Sequence, residues 1–442
     1  MGLSAGAAEV RITPPIGVDL CGYGSRPGPS VAVHDDLWAH ALVLDDGATR
    51  LALIALDLLS TDFAFDRVLR TAVSRAISLP PEQILINCSH THAGPMTSGA
   101  MRTGGADEAY LSTLPSLIAG ATAEAAGRLE RVRLRYGTAP MRVGINRRER
   151  LEDGRIVLGR NPSGVVDDEV RVVTVERSTG TPLAVLFHHA CHGTTLSGTN
   201  RMITAEWMGA ANARLRERFD AVPFFLQGCA GQTNPDCPEP NFEGVERLGA
   251  LAYHAVVRAI TEARPLDGTR LAAAWERIAL PLQDPPNVET VRAELAQAEQ
   301  EAERARQEGA HPYWVRALES LVPKTRRILE LAERGESGLS VPFQIQALAL
   351  GELAMVGLSG EVFLEFAHQI AAESPYPTTW VLGYANGCQC YVPTAEALSE
   401  GGYEGADSFR WYGILPLAPH AGDEMAAGAV RLLNRLRKKE SA

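Results

Sequence analysis

The sequence predicts a mixed α/β fold in which twisted sheets are covered by helices. Short apolar runs typical of strands alternate with longer segments typical of helices, and two of these strands run directly into histidine clusters. Of the 442 residues, 45% are hydrophobic and 21% are charged, as in ordinary globular proteins. No internal repeat or low-complexity linker divides the chain, so we expect a single domain over residues 1–442.

Apolar runs predict the strands of the first half of the chain. Residues 39–44 and 51–56 flank the turn Asp45-Asp46-Gly47, which indicates a hairpin. A helix is predicted over residues 63–77, before Pro80-Pro81, and a buried strand over residues 83–88 follows it. Further strands are predicted at 131–143, 170–175, 183–187 and 223–227, and further helices at 107–129, 205–219 and 244–262.

The segment 287–334 differs from the rest. Residues 288–307 and 313–334 are rich in Ala, Glu, Leu and Arg, and a Gly- and Pro-containing break separates them, which predicts a helical hairpin inserted into the domain. It could be a solvated hairpin packed on the core, a lid or a dimer interface, so a homodimer stays open. Strands at 343–350 and 353–358 and a helix at 421–438 are predicted after it.

Composition excludes several function classes. A net charge of −11 and a pI near 5.6 argue against a nucleic-acid partner. No apolar run reaches the length of about 18 residues that a membrane span needs. The N-terminus has neither the basic segment nor the apolar stretch of a signal peptide, and the seven scattered cysteines suit reduced thiols, so a cytoplasmic location is expected.

Two histidine clusters carry the first chemical signal. His90-Thr91-His92 and the run His188-His189-Ala190-Cys191-His192 each stand at the end of an apolar strand. Alternate residues of a regular strand share a face, so His90 and His92 could both face one site. Neutral imidazole is a good Zn²⁺ ligand, and α/β folds build sites at strand ends. The alternative is a set of core histidines that are hydrogen-bonded to the protein.

Glu361 is the candidate carboxylate ligand, because a catalytic zinc needs about three protein ligands and an open position. It follows the predicted strand 353–358 through Ser359-Gly360, and we expect it to open a helix. A carboxylate there could instead serve only the helix dipole. The G-x-S-x-G pattern of serine hydrolases would need glycine at position 361, so that class loses its main support.

Motifs in order along the chain resemble those of the neutral (non-lysosomal) ceramidases. Ser89-His90-Thr91-His92-Ala93-Gly94-Pro95 is similar to that family's THTHSGP segment. The other similar stretches are Val10-Arg11-Ile12-Thr13-Pro14-Pro15 with Gly22-Tyr23-Gly24 and His34-Asp35, Asn146-Arg147, His192-Gly193-Thr194, Gly360-Glu361, Tyr391-Val392-Pro393-Thr394 and Tyr403-Glu404-Gly405-Ala406.

The resemblance implies roles for seven residues. It implies Zn²⁺ ligands at His90, His192, Glu361 and Tyr391, and groups around the scissile carbonyl at His92, Arg147 and Tyr403. The metal would lower the pKa of a bound water towards about 7. Arg147 and a tyrosine would stabilise the oxyanion, and His92 would pass a proton to the leaving amine.

The sequence also departs from the family pattern. Gln232 stands where the family has Asp and Asn234 where it has Ser. From the resemblance we expect the chain to correspond to the catalytic domain, without the family's C-terminal β-sandwich. The leading expectation is therefore a zinc-dependent hydrolase that cleaves an amide, of N-acyl type. The alternatives are a zinc-dependent lactonase, esterase or amidase for a small soluble substrate, and a non-catalytic binding protein with the same fold.

Overall fold

In the computed structural model, which describes residues 2–97 and 105–441, two β-sheets are stacked with helices on their outer faces. The mixed α/β class predicted from the sequence is confirmed. The strands are β1 Ser4–Arg11, β2 Ala32–Val33, β3 Trp38–Asp45, β4 Arg50–Leu56, β5 Ile84–Cys88, β6 Glu130–Pro140, β7 Gly144–Arg150, β8 Ile156–Asn161, β9 Glu169–Arg177, β10 Pro182–His189, β11 Met202–Ile203, β12 Val222–Gln227, β13 Thr233–Pro235, β14 Arg264–Pro265, β15 Leu271–Pro281, β16 Ser340–Leu350, β17 Leu353–Leu358, β18 Glu361–Val362, β19 Thr378–Leu382 and β20 Tyr391–Val392.

The helices cover these sheets and form the surface of the domain. They are α1 Phe63–Ile77, α2 Glu108–Gly127, α3 Glu206–Phe219, α4 Phe242–Thr261, α5 Val288–Gln307, α6 Pro312–Glu333, α7 Leu364–Ala372, α8 Ala395–Glu400, α9 Ser408–Tyr412 and α10 Ala421–Ser441. A short 3₁₀ turn lies at Pro81–Gln83, and a π-helical turn at Tyr403–Asp407.

The large sheet has the strand order β12-β10-β9-β6-β1-β3-β4-β5, with β14 paired to β6. A parallel pair of strands lies at each end of this sheet, β4 with β5 and β10 with β12. Because parallel strands run in the same direction, the carboxyl ends of each pair lie at the same edge of the sheet. A hydrogen bond of 2.8 Å from the Gln227 amide N–H to Oδ1 of Asn87 joins the carboxyl ends of β12 and β5. The sheet therefore curls until its outermost strands meet.

The second sheet has the order β15-β16-β17-β19 and packs on the concave side of the first. Leu53 and Phe224 of the large sheet share an apolar core with Met355 and Trp380 of the small one. The helices α2, α3 and α4 pack against the large sheet, while α7 and α10 pack against the small one. Burial of these apolar faces is the main stabilising term, at roughly 25 cal/mol per Å².

Most helices begin and end within a few residues of the positions predicted from periodicity, and α1 matches in both bounds. The strands β7, β8, β15 and β19 were not predicted, nor were the shorter strands β11, β13, β14, β18 and β20. The sequence of β7, Gly-Ile-Asn-Arg-Arg-Glu-Arg, has no apolar alternation, because its buried positions include Arg147 and Arg148. Ion pairs with a buried acidic side chain, rather than apolar contacts, stabilise these two arginines. A hydrophobicity pattern cannot detect such ion pairs.

The segment 287–334 forms the two antiparallel helices α5 and α6, as the sequence predicts. The hairpin is seated on the body of the protein through the first turns of α6. Tyr313 and Ala317 are fully buried, and the Tyr313 hydroxyl donates to the backbone carbonyl of Leu20 at 2.7 Å. No helix within the described ranges is long and apolar enough to cross a membrane.

Candidate active site

Two buried amide side chains bring the histidine-bearing loops together. The Gln227 side chain donates from Nε2 to the carbonyls of Ser89 at 2.9 Å and Cys191 at 2.7 Å, which directly precede His90 and His192. Its Oε1 accepts from the Cys191 amide at 3.2 Å. Asn87 donates to the Gly383 carbonyl at 2.8 Å. These bonds set the distance between loops that lie about 100 positions apart in sequence.

His90, His92 and His192 form one cluster whose candidate ligand nitrogens all lie within 4.8 Å of one another. The strand β5 ends at Cys88, so His90 and His92 lie just beyond it. His90 has φ +62°, a left-handed conformation that is costly for a residue with a side chain. This turn makes the two rings meet, with 3.2 Å between their Nε2 atoms.

The carboxylate of Glu361 completes the cluster. Its Oε2 lies 3.4 Å from Nε2 of both His90 and His192. The expectation that Glu361 opens a helix is wrong: it lies in the short strand β18, beside Tyr391 of β20, and α7 begins only at Leu364. The helix dipole alone therefore does not account for this carboxylate.

The tautomers of two histidines direct Nε2 towards the centre. Nδ1 of His90 faces the Leu59 carbonyl at 2.8 Å, and Nδ1 of His192 faces the Ala230 carbonyl at 2.8 Å, so in each ring Nδ1 donates and Nε2 carries the lone pair. A backbone acceptor on the outer nitrogen is the usual second partner of a metal-bound histidine. Nδ1 of His92, by contrast, has no hydrogen-bond partner among the described residues.

Electrostatics keep these groups in the protonation states that coordination needs. Burial lowers the pKa of His192 to about 3, helped by the nearby Arg147, and burial with the neighbouring histidines holds the pKa of His92 well below its usual range. Burial alone would raise the pKa of the Glu361 carboxyl, but His90 and His192 together hold it well below its ordinary value. A divalent metal such as Zn²⁺ would displace the protons between Nε2 and the carboxylate, and imidazole nitrogens with an ionised carboxylate are a donor set that fits it.

Arg147 of β7 connects the cluster to the motif residues near the C-terminus. Its Nε donates to Glu404 at 2.6 Å, its Nη2 to the Tyr391 hydroxyl at 2.9 Å, and its Nη1 faces Nε2 of His192 at 3.2 Å and Asn234 at 3.1 Å. Burial lowers the pKa of Arg147, but Tyr391 and Glu404 more than restore it, so the guanidinium stays charged.

The two predicted tyrosines lie beside Arg147. The rings of Tyr391 and Tyr403 meet edge to face with centroids 5.7 Å apart, and the guanidinium of Arg147 lies within 6 Å of both ring centres. Burial raises the pKa of both phenols, which remain protonated. The described hydrogen bond of Tyr391 goes to Arg147, so its role as a metal ligand stays a prediction.

A cavity of about 280 Å³ opens on the outer side of this assembly. His92, Arg147, Tyr391 and Tyr403 line its inner end. Its other lining residues are Gly22, Tyr23, Gly24, Ser25, Leu158, Thr194, Asn234, Trp314 and Trp411. Of the histidine cluster, only His92 reaches the cavity, so it stands between the donor set and any molecule that enters.

Comparison with known proteins identifies a family for the chain. The family model described as neutral/alkaline non-lysosomal ceramidase, N-terminal, matches residues 4–223. The chain belongs to this ceramidase family. No curated protein sequence matches the chain significantly. The segment of this chain that matches the family model includes His90, His92, Arg147 and His192. Glu361, Tyr391 and Tyr403 lie after its last residue, 223.

Two solved ceramidase structures share the fold over the whole length described. The neutral ceramidase from Pseudomonas aeruginosa has a TM-score of 0.77 at 19% identity, covering 99% of this chain and 75% of that one. A structure titled "Ceramidase complexed with C2" has a TM-score of 0.77 at 18% identity, covering 99% of this chain and 76% of that one. At this identity the similarity shows the fold alone.

The ceramidase-like site contains residues that sequence reasoning did not assign. The hydroxyl of Tyr412 donates to Oε1 of Glu361 at 2.7 Å, and that of Tyr384 approaches Oε2 at 3.4 Å. Glu404 pairs with both Arg147 and Arg148. Glu404 lies within the motif that begins at Tyr403, and this position is the signal that could have identified it. Tyr384 and Tyr412 carry no such signal.

The first two histidines of the 188–192 run, His188 and His189, do not join the site. Nδ1 of His188 faces the Leu226 carbonyl at 3.1 Å, and its ring stacks on Trp380. Nδ1 of His189 faces the Glu169 carbonyl at 3.0 Å and lies 3.4 Å from Asp167. For these two residues the alternative of hydrogen-bonded core histidines holds.

Proposed function

We propose that this protein is a zinc-dependent hydrolase that cleaves an amide bond of N-acyl type. The observation that carries the proposal is the convergence of Nε2 of His90 and Nε2 of His192 on the Glu361 carboxylate, with both outer nitrogens held by backbone carbonyls. Membership of the ceramidase family supports the choice of an amide as the bond that is cleaved.

His90, His192 and Glu361 would hold the metal. A bound Zn²⁺ would supply Lewis acidity and lower the pKa of a coordinated water to about 7. The Tyr412 hydroxyl on the other oxygen of Glu361 fixes the plane of that carboxylate. Tyr391 is proposed as a fourth ligand, because it stands beside Glu361 in the β18–β20 ladder.

His92 is proposed as the proton carrier. It is neutral, it has an unpartnered Nδ1, and it is the histidine of the cluster that lines the cavity. A neutral imidazole beside the attacking water can accept its proton and pass it to the leaving amine, which leaves poorly unless it is protonated. A substitution that moves this ring would therefore slow turnover without removing the metal ligands.

Arg147 and Tyr403 are proposed to stabilise the oxyanion. The lone pair on Nε2 of His192 can serve either coordination or the contact with Arg147, so coordination leaves an N–H of Arg147 free to donate to a substrate carbonyl. Glu404 holds the guanidinium from the opposite side at Nε. Tyr403, whose phenol stays protonated, lines the same cavity and can donate a second hydrogen bond.

A hydrolase for a small soluble amide or ester is the second candidate, and the size of the cavity favours it over a ceramide hydrolase. Cavities that enclose drug-sized ligands measure about 300–1,000 Å³, and this one measures about 280 Å³. A lipid with two long chains would extend far outside it. A non-catalytic binding protein is the least favoured reading, because the donor set and the charged Arg147 are both in place.

The test is metal content and hydrolysis measured on the same preparations. The purified protein should contain about one equivalent of Zn²⁺, lose amide hydrolysis on chelation and regain it when Zn²⁺ is restored. Ceramide, short N-acyl amides, and matched esters and lactones should be compared as substrates. A well-folded protein that holds no zinc, and whose hydrolysis is unaffected by chelators, would contradict the proposal.

A further inference from the structure

The helical hairpin contributes Trp314 to the wall of the active-site cavity. Trp314 of α6 and Trp411 of α9 both line the cavity, and they pack together with Val315 and Leu318 in a small apolar cluster. Gly24 lies against both indoles: a Cβ at this position would be 3.4 Å from Trp314 and 3.6 Å from Trp411. The two rings and the Gly24 loop therefore form a continuous surface.

The hairpin is held in place by bonds on both sides of Trp314. Immediately before it, the buried Tyr313 donates to the Leu20 carbonyl at 2.7 Å. Ten residues further along α6, the ammonium group of Lys324 donates to the Trp411 carbonyl at 2.6 Å. Burial lowers the pKa of this lysine to about 8, so it is still largely charged at neutral pH. These contacts make the wall a fixed part of the site.

The cavity has two chemically different ends. Arg147 contacts Asn234 and Tyr403 at the polar end, and Tyr23 packs against His92 there, whereas Leu158 and the two indoles provide apolar lining. A carbonyl would be held at the polar end, beside His92, and the group attached to it would lie between the aromatic side chains. A longer acyl group would extend towards the indole of Trp314.

We propose that Trp314 sets the size limit of the substrate, so that the enzyme takes compact amides with a short or aromatic acyl group. This inference rests on the proposed amide hydrolysis. It assigns the hairpin a role in specificity, because the residue that limits the acyl group belongs to α6 and is not one of the proposed metal ligands. Removing its side chain should lengthen the apolar end of the cavity.

The experiment compares one amine acylated with acetyl, benzoyl, butyryl, hexanoyl, octanoyl and lauroyl groups. The unchanged protein should show falling kcat/KM beyond the shortest chains. In Trp314→Ala the ratio of kcat/KM for octanoyl to that for acetyl should rise by about tenfold or more, the scale on which pocket contacts discriminate small apolar groups. Trp314→Phe should give an intermediate ratio.

Trp275→Ala is the matched control, because Trp275 is a 42% exposed tryptophan on β15, outside this cavity. It should leave the acyl-length profile unchanged. Equal changes for all acyl lengths in Trp314→Ala, or a preference of the unchanged protein for lauroyl amides, would overturn the inference. Thermal unfolding of each variant shows whether a changed acyl-length profile reflects the missing indole or a loss of folded protein.

Binding of the same amides to His92→Ala, measured by calorimetry, reads the acyl-length profile without turnover. If the unchanged protein hydrolyses none of the amides, the proposed function fails. In that case the size limit still has its own readout, since a Trp314→Ala substitution added to His92→Ala should improve octanoyl binding relative to acetyl binding. An unchanged binding ratio would overturn the size limit by itself.

Discussion

His192 and its neighbours His188 and His189 differ in what they meet, although all three are buried at the end of the same strand. Each has Nδ1 next to a backbone carbonyl. Nε2 of His192 faces Glu361 and the His90 ring, whereas the ring of His188 stacks on Trp380 and Nε2 of His189 has no partner among the described residues. An anchored Nδ1 is therefore common to core and candidate ligand histidines, and the surroundings of Nε2 distinguish them.

The largest expected difference between the two groups is in metal binding. His192→Ala should lose bound zinc, and amide hydrolysis should fall by about three orders of magnitude, because several kcal/mol of transition-state stabilisation disappear. His188→Ala should keep zinc and lose only stability, by about 1–3 kcal/mol, because it leaves the Leu226 carbonyl without its partner. Metal analysis and chemical unfolding of both variants measure this. Equal zinc loss in both would remove the distinction.

His92 should behave as a third type, because it joins the cluster without an anchored Nδ1. His92→Ala should keep most of its zinc while kcat falls by about 10²–10⁴-fold, the usual contribution of a general acid–base group. Gly22→Ala is a milder version, since a Cβ there would lie 2.4 Å from Nδ1 of His92 and push the ring aside. Complete zinc loss in His92→Ala would instead make His92 a ligand.

Gln227 tests whether the distance between the His90 and His192 loops matters. Gln227→Leu removes two donated hydrogen bonds next to the histidines, and Gln346→Leu removes two of the same kind, to the carbonyls of Glu82 and Ile84, at the other end of β5. Both should lose a similar 1–3 kcal/mol or more of stability. Only Gln227→Leu should also lose about 10²-fold in kcat/KM, because small displacements of reacting groups are costly.

The smallest effect concerns the core histidines and pH. Burial raises the pKa of Asp167, but His189 and Arg171 hold it below the ordinary value of 3.8. The folded state therefore binds this proton less readily than the unfolded state, so the stabilisation is present above about pH 3.8 and is lost as the pH falls below it. Asp167→Asn should flatten this acid dependence of unfolding, while Asp284→Asn, at an exposed position, should not. Identical acid unfolding curves for the two variants would contradict this assignment.

The fold was largely predictable because apolar periodicity reports burial, and most helices and core strands obey it. The strand β7 could not be found in this way, since Arg147 and Arg148 are buried by pairing with Glu404. The motifs identified His90, His92, His192 and Glu361, which the fold brings together, while their roles stay predictions. Tyr384, just after β19, and Tyr412, at the end of α9, contact the Glu361 carboxylate of β18. These contacts depend on the packing of segments that are distant in sequence, which no local sequence pattern predicts.

The most direct test is anomalous diffraction at the zinc edge from crystals of the full chain. We expect one strong peak at about 2.0–2.2 Å from Nε2 of His90, Nε2 of His192 and an oxygen of Glu361. His188 and His189 should show no peak. A zinc-supplemented crystal without density between these three residues, or with its zinc bound elsewhere, would contradict the account.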